Sequence, residues 1–206
     1  MLARLKREAE KLLKPLLALL SKLNVKPIHL TLLSFAMATC YLILSLFLKD
    51  YLLMALFLTL SSLMDGLDGA LARYLGESSD LGSLIDSVTD RFSDAFLILG
   101  LYFSSLINSL ETLAALFAFL MISYLRAKGE SLGVKMEGVG LAERGERILM
   151  LLLVLLTATT AILVSKAIFY TLLGLSYLTI VQRIRKGVKE LKGRLSREAK
   201  ALNPNY

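Results

Sequence analysis

Apolar residues dominate Leu30–Leu48 (LTLLSFAMATCYLILSLFL), long enough to cross a bilayer as an α-helix, which needs about 20 such residues. Shorter apolar runs follow at Tyr51–Met64, Ala95–Asn108, Thr112–Leu125, Ile148–Val164 and Ala167–Val181. The pattern predicts six transmembrane helices, at about 28–49, 51–75, 81–106, 109–128, 145–165 and 166–187. Ahead of them lies MLARLKREAEKLLKPLLALLSKL, where apolar and basic residues alternate at helical spacing. That segment, within residues 1–26, reads as an amphipathic helix on the membrane surface, kinked or restarted at Pro15. The fold class is therefore all-α and integral to a membrane, in one domain: a juxtamembrane helix (1–26), a core (about 28–187) and a basic tail (188–206).

Composition agrees. The 206 residues are 56% hydrophobic, above the roughly 45–50% of soluble domains, which argues against a soluble globule. Lys and Arg outnumber Asp and Glu by 24 to 17, for a net charge of +7. A basic chain suits nucleic acid or an anionic membrane, and the apolar runs select the membrane. All the cations but Lys49, Arg91 and Lys166 fall in the two termini and the even-numbered connections. Both termini are thus predicted to be cytoplasmic, in the cell's plasma membrane. A lone cysteine, Cys40, excludes an intrachain disulfide, and a lone histidine, His29, excludes a Cys/His zinc cage. Scarce Asn and Gln and the absence of Trp lean towards a thermophile.

The informative segment is Met64–Ala95, MDGLDGALARYLGESSDLGSLIDSVTDRFSDA. One Asp at the middle of a membrane helix costs about 2.5–3.5 kcal/mol, and four cost about 10–14 kcal/mol. Such acids need a cation or water to offset them. Asp65 and Asp68 are spaced i,i+3, and Asp86 and Asp90 i,i+4, so each pair shares a helix face. About 14 apolar residues precede Asp65, a rise of roughly 21 Å, which puts both pairs in the cytoplasmic half. A short turn between antiparallel helices would gather the four carboxylates. Oxygen ligands without Cys or His suit Mg²⁺, Mn²⁺ or Ca²⁺, and four carboxylates suit two divalent cations on a diphosphate. Gly69 and Gly82 leave room beside the acids for a phosphate or nucleotide, Ala72 is small on the same face, and Arg73 offers a planar fork. A divalent-cation transporter would also carry acids inside the membrane.

The ordered pattern favours catalysis, with the divalent-cation transporter as the alternative. Asp65, Asp68, Gly69, Ala72, Arg73, Gly82, Asp86 and Asp90 satisfy D-x2-D-G-x2-A-R-x8-G-x3-D-x3-D at every defined position. The segment resembles the CDP-alcohol phosphotransferase family. The resemblance implies metal ligation by Asp65, Asp68 and Asp86 with Asp90 beside them, using Mg²⁺ or Mn²⁺. It implies Asp90 as the general base, and a CDP pocket lined by Asp65, Asp68, Gly69, Ala72, Arg73 and Gly82. A second likeness lies at Asn24-Val-Lys-Pro-Ile-His29-Leu-Thr31, where Pro27 and Thr31 match the nucleotide-proximal start of the first span. His29 replaces the family's Asn or Asp there and reads as either a nucleotide contact or a capping residue.

Further segments resemble the inositol-phosphate branch of the family: Asp90-Arg91-Phe-Ser93-Asp94, Ser123-Tyr-Leu-Arg126-Ala-Lys128 and Ala142-Glu143-Arg144. That likeness implies an acceptor-phosphate pocket formed by Arg126, Lys128, Arg144 and Arg183. It also implies transfer of a phosphatidyl or archaetidyl group from CDP-diacylglycerol or CDP-archaeol to inositol 1-phosphate, with release of CMP. Glycerol phosphate and serine are alternative acceptors. A homodimer in the lipid bilayer is expected, with no nucleic-acid partner. Asp94 reads as a partner of Arg91 or of another helix, or as a support for the metal ligands, Cys40 as packing, and Glu77 and Asp80 as solvated turn residues.

Overall fold

The computed structural model describes residues 13–77 and 79–202. Among these residues the chain is helical, with no strand. The helices are α1 (13–22), α2 (Pro27–Phe47), α3 (Tyr51–Leu75), α4 (Asp80–Phe103), α5 (Ser109–Ser131), α6 (Arg144–Ala158) and α7 (Ile162–Leu202). Four of them, α2, α3, α5 and α7, are long and apolar enough to cross a membrane, as expected of a membrane protein. α4 carries Asp86, Asp90 and Asp94. α6 has 15 residues, a rise of about 22 Å against a hydrocarbon core about 30 Å thick. The helix predicted across 1–26 is described only from residue 13; Arg4, Lys6, Arg7 and Lys11 lie outside the described residues.

Two compact units divide the chain, Met1–Ser104 and Ser105–Tyr206. In the first, α2 packs against both α3 and α4. Local chemistry sets the helix ends. Pro27, which has no N–H to leave unpaired, occupies the first turn of α2, and the Lys26 N–H donates to His29 Nδ1 at 3.3 Å. Capping is thus the role the structure shows for His29. The Asp50 carboxylate accepts from the Leu52 and Leu53 N–H groups at 2.9 and 3.1 Å and starts α3. Gly76 closes α3 at φ 68°, a left-handed conformation that glycine adopts without strain. Ser79 caps α4 by accepting from the Gly82 N–H at 3.1 Å.

Buried polar groups fix the packing of this unit. Ser34 Oγ donates to the Ser61 carbonyl at 2.8 Å, and Ser61 Oγ donates back to the Ser34 carbonyl at 3.0 Å. Tyr41 donates to the Leu97 carbonyl at 2.9 Å, its ring lying where a side chain at Gly100 would stand. Phe35 of α2 meets Phe92 and Phe96 of α4, with ring centroids 6.3 and 5.7 Å apart. Leu13, Leu17 and Leu20 share one face of α1 and pack with Leu30, Ala70 and Leu71. α1 is therefore anchored on α2 and α3, and this positions the start of α2.

In the second unit, α5 and α6 both pack on α7. Thr179 Oγ1 accepts from the Leu141 and Ala142 N–H groups, each at 3.0 Å, and holds the 132–143 connection against α7. The α6–α7 break falls at 159–161, not near 165 as the hydropathy implies. Thr157 and Thr159 turn their hydroxyls onto the Leu153 and Leu156 carbonyls, and the Ala161 N–H folds back to Thr157. α7 runs on to Leu202 where the sequence reading ended the last span near 187. The Lys186–Glu190 pair at 3.7 Å supports the extension, as does Arg194, which donates to the Leu132 and Gly133 carbonyls.

Candidate active site

The carboxylates of Asp65 and Asp68 emerge from the same face of α3, about two to three turns before its Gly76 cap. α4 supplies Asp86 two turns after its Ser79 cap. One oxygen from each of the three acids lies within 4.8 Å of the others. The group is all oxygen, and its size suits one or two hard divalent cations. Asp68 is buried, at 6% exposure, while Asp65 and Asp86 are half-buried. Thr31 of α2 donates its hydroxyl to Asp68 Oδ2 at 2.6 Å in this buried setting. That bond turns one carboxylate oxygen towards α2 and leaves the other for a cation.

Asp90 stands outside the three-acid group. It sits one turn further along α4, and Arg91 Nη2 lies 3.2 Å from its Oδ2. Asp94, another turn on, is buried at 3% exposure.

A cleft of about 300 Å³ opens beside the acids, within the first unit. Pro27, Thr31, Asp68, Gly69, Ala72, Gly82 and Asp86 line it, all of them singled out by the sequence pattern. A side chain at Gly69 would stand 3.4 Å from Arg73 Nη1, and one at Gly82 would stand 3.1 Å from Ser79 Oγ. Arg73 thus lies over Gly69, at the exposed side of α3. Lys26, Ile28, Glu77, Ser79 and Ser83 also line the cleft and were missed. Each adjoins a helix end, where i,i+3 and i,i+4 spacing carries no signal. The Ser79 cap three residues before Gly82 was the one legible cue.

The four acceptor-pocket candidates lie in the second unit. Arg126 pairs with Glu130 at 3.1 Å on the exposed face of α5, and Lys128 follows it in the last turn, also exposed. Arg144 opens α6 and is half-buried. Arg183 is 2% exposed. Its guanidinium donates to the Ile122 carbonyl at 2.6 Å, to the Val139 carbonyl at 2.9 Å, and to Glu143 Oε1 at 3.4 Å. Glu143 also accepts from the Gly138 N–H at 3.0 Å, and Arg147 lies over the Phe119 ring, 4.4 Å from its centre.

Comparison with known proteins places this geometry. The profile of the CDP-alcohol phosphatidyltransferase family matches residues 24–182. An archaetidylinositol phosphate synthase of Aeropyrum pernix is 40% identical over 129 residues, covering 63% of this chain and 66% of its own. One from Pyrococcus horikoshii is 31% identical over 192 residues, covering 93% of this chain and 99% of its own. The fold is similar to that of Mycobacterium tuberculosis phosphatidylinositol phosphate synthase. Its crystal structure with CDP-DAG bound has a TM-score of 0.72 and 25% identity, over 84% of this chain and 92% of that one. Its structure in complex with manganese and citrate has a TM-score of 0.71 and 26% identity, over 84% of this chain and 87% of that one. With the acidic pattern, the cleft beside it and matches across most of its length, the chain belongs to the CDP-alcohol phosphatidyltransferase family.

Proposed function

We propose that the chain transfers a phosphatidyl or archaetidyl group from a CDP-linked lipid to a hydroxyl of inositol 1-phosphate and releases CMP. The observation that carries this reading is the Asp65–Asp68–Asp86 oxygen cluster beside a cleft lined by Pro27, Thr31, Gly69, Ala72 and Gly82. The names of the archaetidylinositol phosphate synthases point to the acceptor, and the archaeal relatives favour CDP-archaeol as donor.

Asp65, Asp68 and Asp86 would hold two divalent cations, Mg²⁺ or Mn²⁺, with Asp90 beside them. When bound, such ions withdraw charge from the diphosphate and ease departure of CMP. The acceptor oxygen attacks the phosphorus that bears the lipid, and the bond from that phosphorus to the CMP oxygen breaks. Asp90 takes the hydroxyl proton, held in place by Arg91 at 3.2 Å. Asp68, Gly69, Ala72, Gly82, Pro27 and Thr31 hold the CDP moiety, with Asp65 and Arg73 at its diphosphate. We assign the acceptor's phosphate to Arg126, Lys128, Arg144 and Arg183, because planar and flexible cations together suit a dianion. Arg183 also pins the Val139 and Glu143 ends of the connection before α6.

The family match crosses the Ser104–Ser105 boundary, which supports one catalytic domain. We place the protein in the plasma membrane as six spans, α2 to α7, with the N-terminal amphipathic helix on the surface. Both termini and the active site face the cytoplasm, as the cation distribution requires, and a homodimer is the working assembly.

The test is CMP release by purified protein from CDP-archaeol or CDP-diacylglycerol with a panel of acceptors. Inositol 1-phosphate should be consumed, in a reaction dependent on Mg²⁺ or Mn²⁺ and lost in Asp90→Asn. Use of glycerol phosphate or serine instead would replace the acceptor. Divalent-cation flux into liposomes without CMP release would replace the reaction by transport.

A further inference from the structure

The connection between α5 and α6 spans residues 132–143, and none of them is helical. Packed helices are usually joined by about 2–8 residues, so a connection of this length calls for a use. It is not loose. Thr179, Arg183 and Arg194 hold it along one face of α7, since steps of four and eleven residues are close to whole turns. Val134, Met136 and Ala142 within it are buried.

The firmest hold is at Thr179, which is 0% exposed. Its Oγ1 accepts from the Leu141 and Ala142 N–H groups, each at 3.0 Å, and donates to the Leu175 carbonyl at 2.8 Å. One proton and two lone pairs are all that a hydroxyl has, so this one is fully used. Gly140 lies against the Thr179 methyl at φ 116°, a conformation that suits glycine, and a side chain there would collide with that methyl. One turn on, Arg183 donates to the Val139 carbonyl at 2.9 Å and to Glu143 Oε1 at 3.4 Å. Every residue from Val139 to Glu143 is thus bonded to, or packed against, Thr179 or Arg183.

The next residue is Arg144, which opens α6. A cation whose backbone is already fixed loses less freedom when it takes up an anion, and this preorganisation raises affinity. We infer that Thr179 is a positioning residue for the acceptor: by clamping Leu141 and Ala142 it sets where Arg144 stands, and with it the affinity for the acceptor's phosphate. This rests on the acceptor pocket proposed above. Thr179 does not bind the phosphate itself, because it is fully buried and its hydroxyl is spent on the backbone.

The experiment is steady-state kinetics of the purified full-length protein with CDP-archaeol or CDP-diacylglycerol and inositol 1-phosphate. Thr179→Val keeps the shape and removes the acceptor of two N–H groups. It should raise the KM for inositol 1-phosphate about tenfold or more, the scale of one charged hydrogen bond to the phosphate. The KM for the CDP-lipid should stay within twofold, and kcat at saturating acceptor within about threefold. Inorganic phosphate, competing with the acceptor, should lose inhibitory strength by the same factor as the KM rises. Thr179→Ser keeps the hydroxyl and should restore both KM values to within twofold of wild type. Should Thr179→Val fail to fold, Thr179→Ala removes the same hydroxyl without pressing a methyl on the N–H groups and is judged by the same criteria. Equal rises in both KM values, a loss confined to kcat, or an unchanged acceptor KM would each overturn the inference. If wild type releases CMP with serine but not with inositol 1-phosphate, the acceptor reading fails as well, an outcome visible without any variant.

Discussion

Replacing Thr31 by Val removes one hydroxyl and little volume. The hydroxyl donates to Asp68 Oδ2 at 2.6 Å, and both residues are buried at 6% exposure. A hydrogen bond to a charged group contributes about 1.5–3 kcal/mol, and a buried acceptor deprived of its donor keeps its desolvation cost. Removing a partner that orients a metal ligand lowers metal affinity by roughly 10–100-fold. Thr31→Val should therefore weaken Mn²⁺ binding by that factor, read by calorimetry or by the spin-resonance signal of free Mn²⁺ in detergent-solubilised protein. Turnover at limiting Mn²⁺ should fall in parallel and recover at saturating Mn²⁺. Thr31→Ser keeps the hydroxyl and should stay within about threefold of wild type, since rotamer freedom is its main loss. If Thr31→Val folds, melts near the wild-type temperature and binds Mn²⁺ within twofold of wild type, Thr31 does not position Asp68.

Other substitutions probe separate parts of the molecule. Asp90→Asn should abolish CMP release yet change Mn²⁺ affinity less than Asp68→Asn does, because Asp90 stands outside the three-acid group; equal losses of Mn²⁺ binding would make Asp90 a full ligand. Gly100→Ala forces a methyl group into the Tyr41 ring and should cost about 1–3 kcal/mol, seen as a lower melting temperature; an unchanged melt would show that the ring moves aside freely. Arg183→Met removes a donor from the Ile122 and Val139 carbonyls and from Glu143, which keeps its bond from the Gly138 N–H. It should destabilise by about 1–3 kcal/mol, the cost of leaving a buried carbonyl without its donor, and raise the KM for inositol 1-phosphate more than that for the CDP-lipid; equal KM effects would argue against its part in the acceptor pocket.

The acids were legible because helix geometry is simple. Asp65 and Asp68 at i,i+3 must share a face, and the structure brings them to Asp86 as the turn between α3 and α4 requires. α3 was bounded at 51–75 because Asp50 and Gly76 bracket it with chemistry that works locally. The α6–α7 break was misplaced because hydropathy counts Thr157, Thr159 and Thr160 as tolerable residues in an apolar run. The Thr157 and Thr159 hydroxyls compete for helix carbonyls, and a hydropathy average does not register that. α7 was cut short for the opposite reason: its basic C-terminal half is polar and still helical. Ser34–Ser61 and Tyr41–Leu97 were out of reach, because each joins residues whose pairing depends on how the helices pack. Glu77 reads as an ordinary solvated turn residue until the Gly76 cap is seen to turn the chain along the cleft.

Electrostatics links the fold to the proposed chemistry. Two carboxylate charges 4.8 Å apart repel by roughly 3–4 kcal/mol at an effective dielectric constant near 20, and the three acids make three such pairs. A hydrophobic interface has no reason to hold that arrangement. Protons and cations both offset it. Protons would offset the repulsion but occupy the oxygens that a diphosphate site needs for its metals. Divalent cations offset it and also attract the pyrophosphate. The fold supports the second solution by rigid means. Asp50 and Gly76 fix the ends of α3, Ser79 fixes the start of α4, and Ser34–Ser61 locks α2 to α3 so that Thr31 meets Asp68. The acids are held in position by contacts that exist without the ion, so binding it requires little rearrangement. A site of this kind stores its cost in the metal-free protein and recovers it when the cation arrives, and metal binding and stability should therefore rise together.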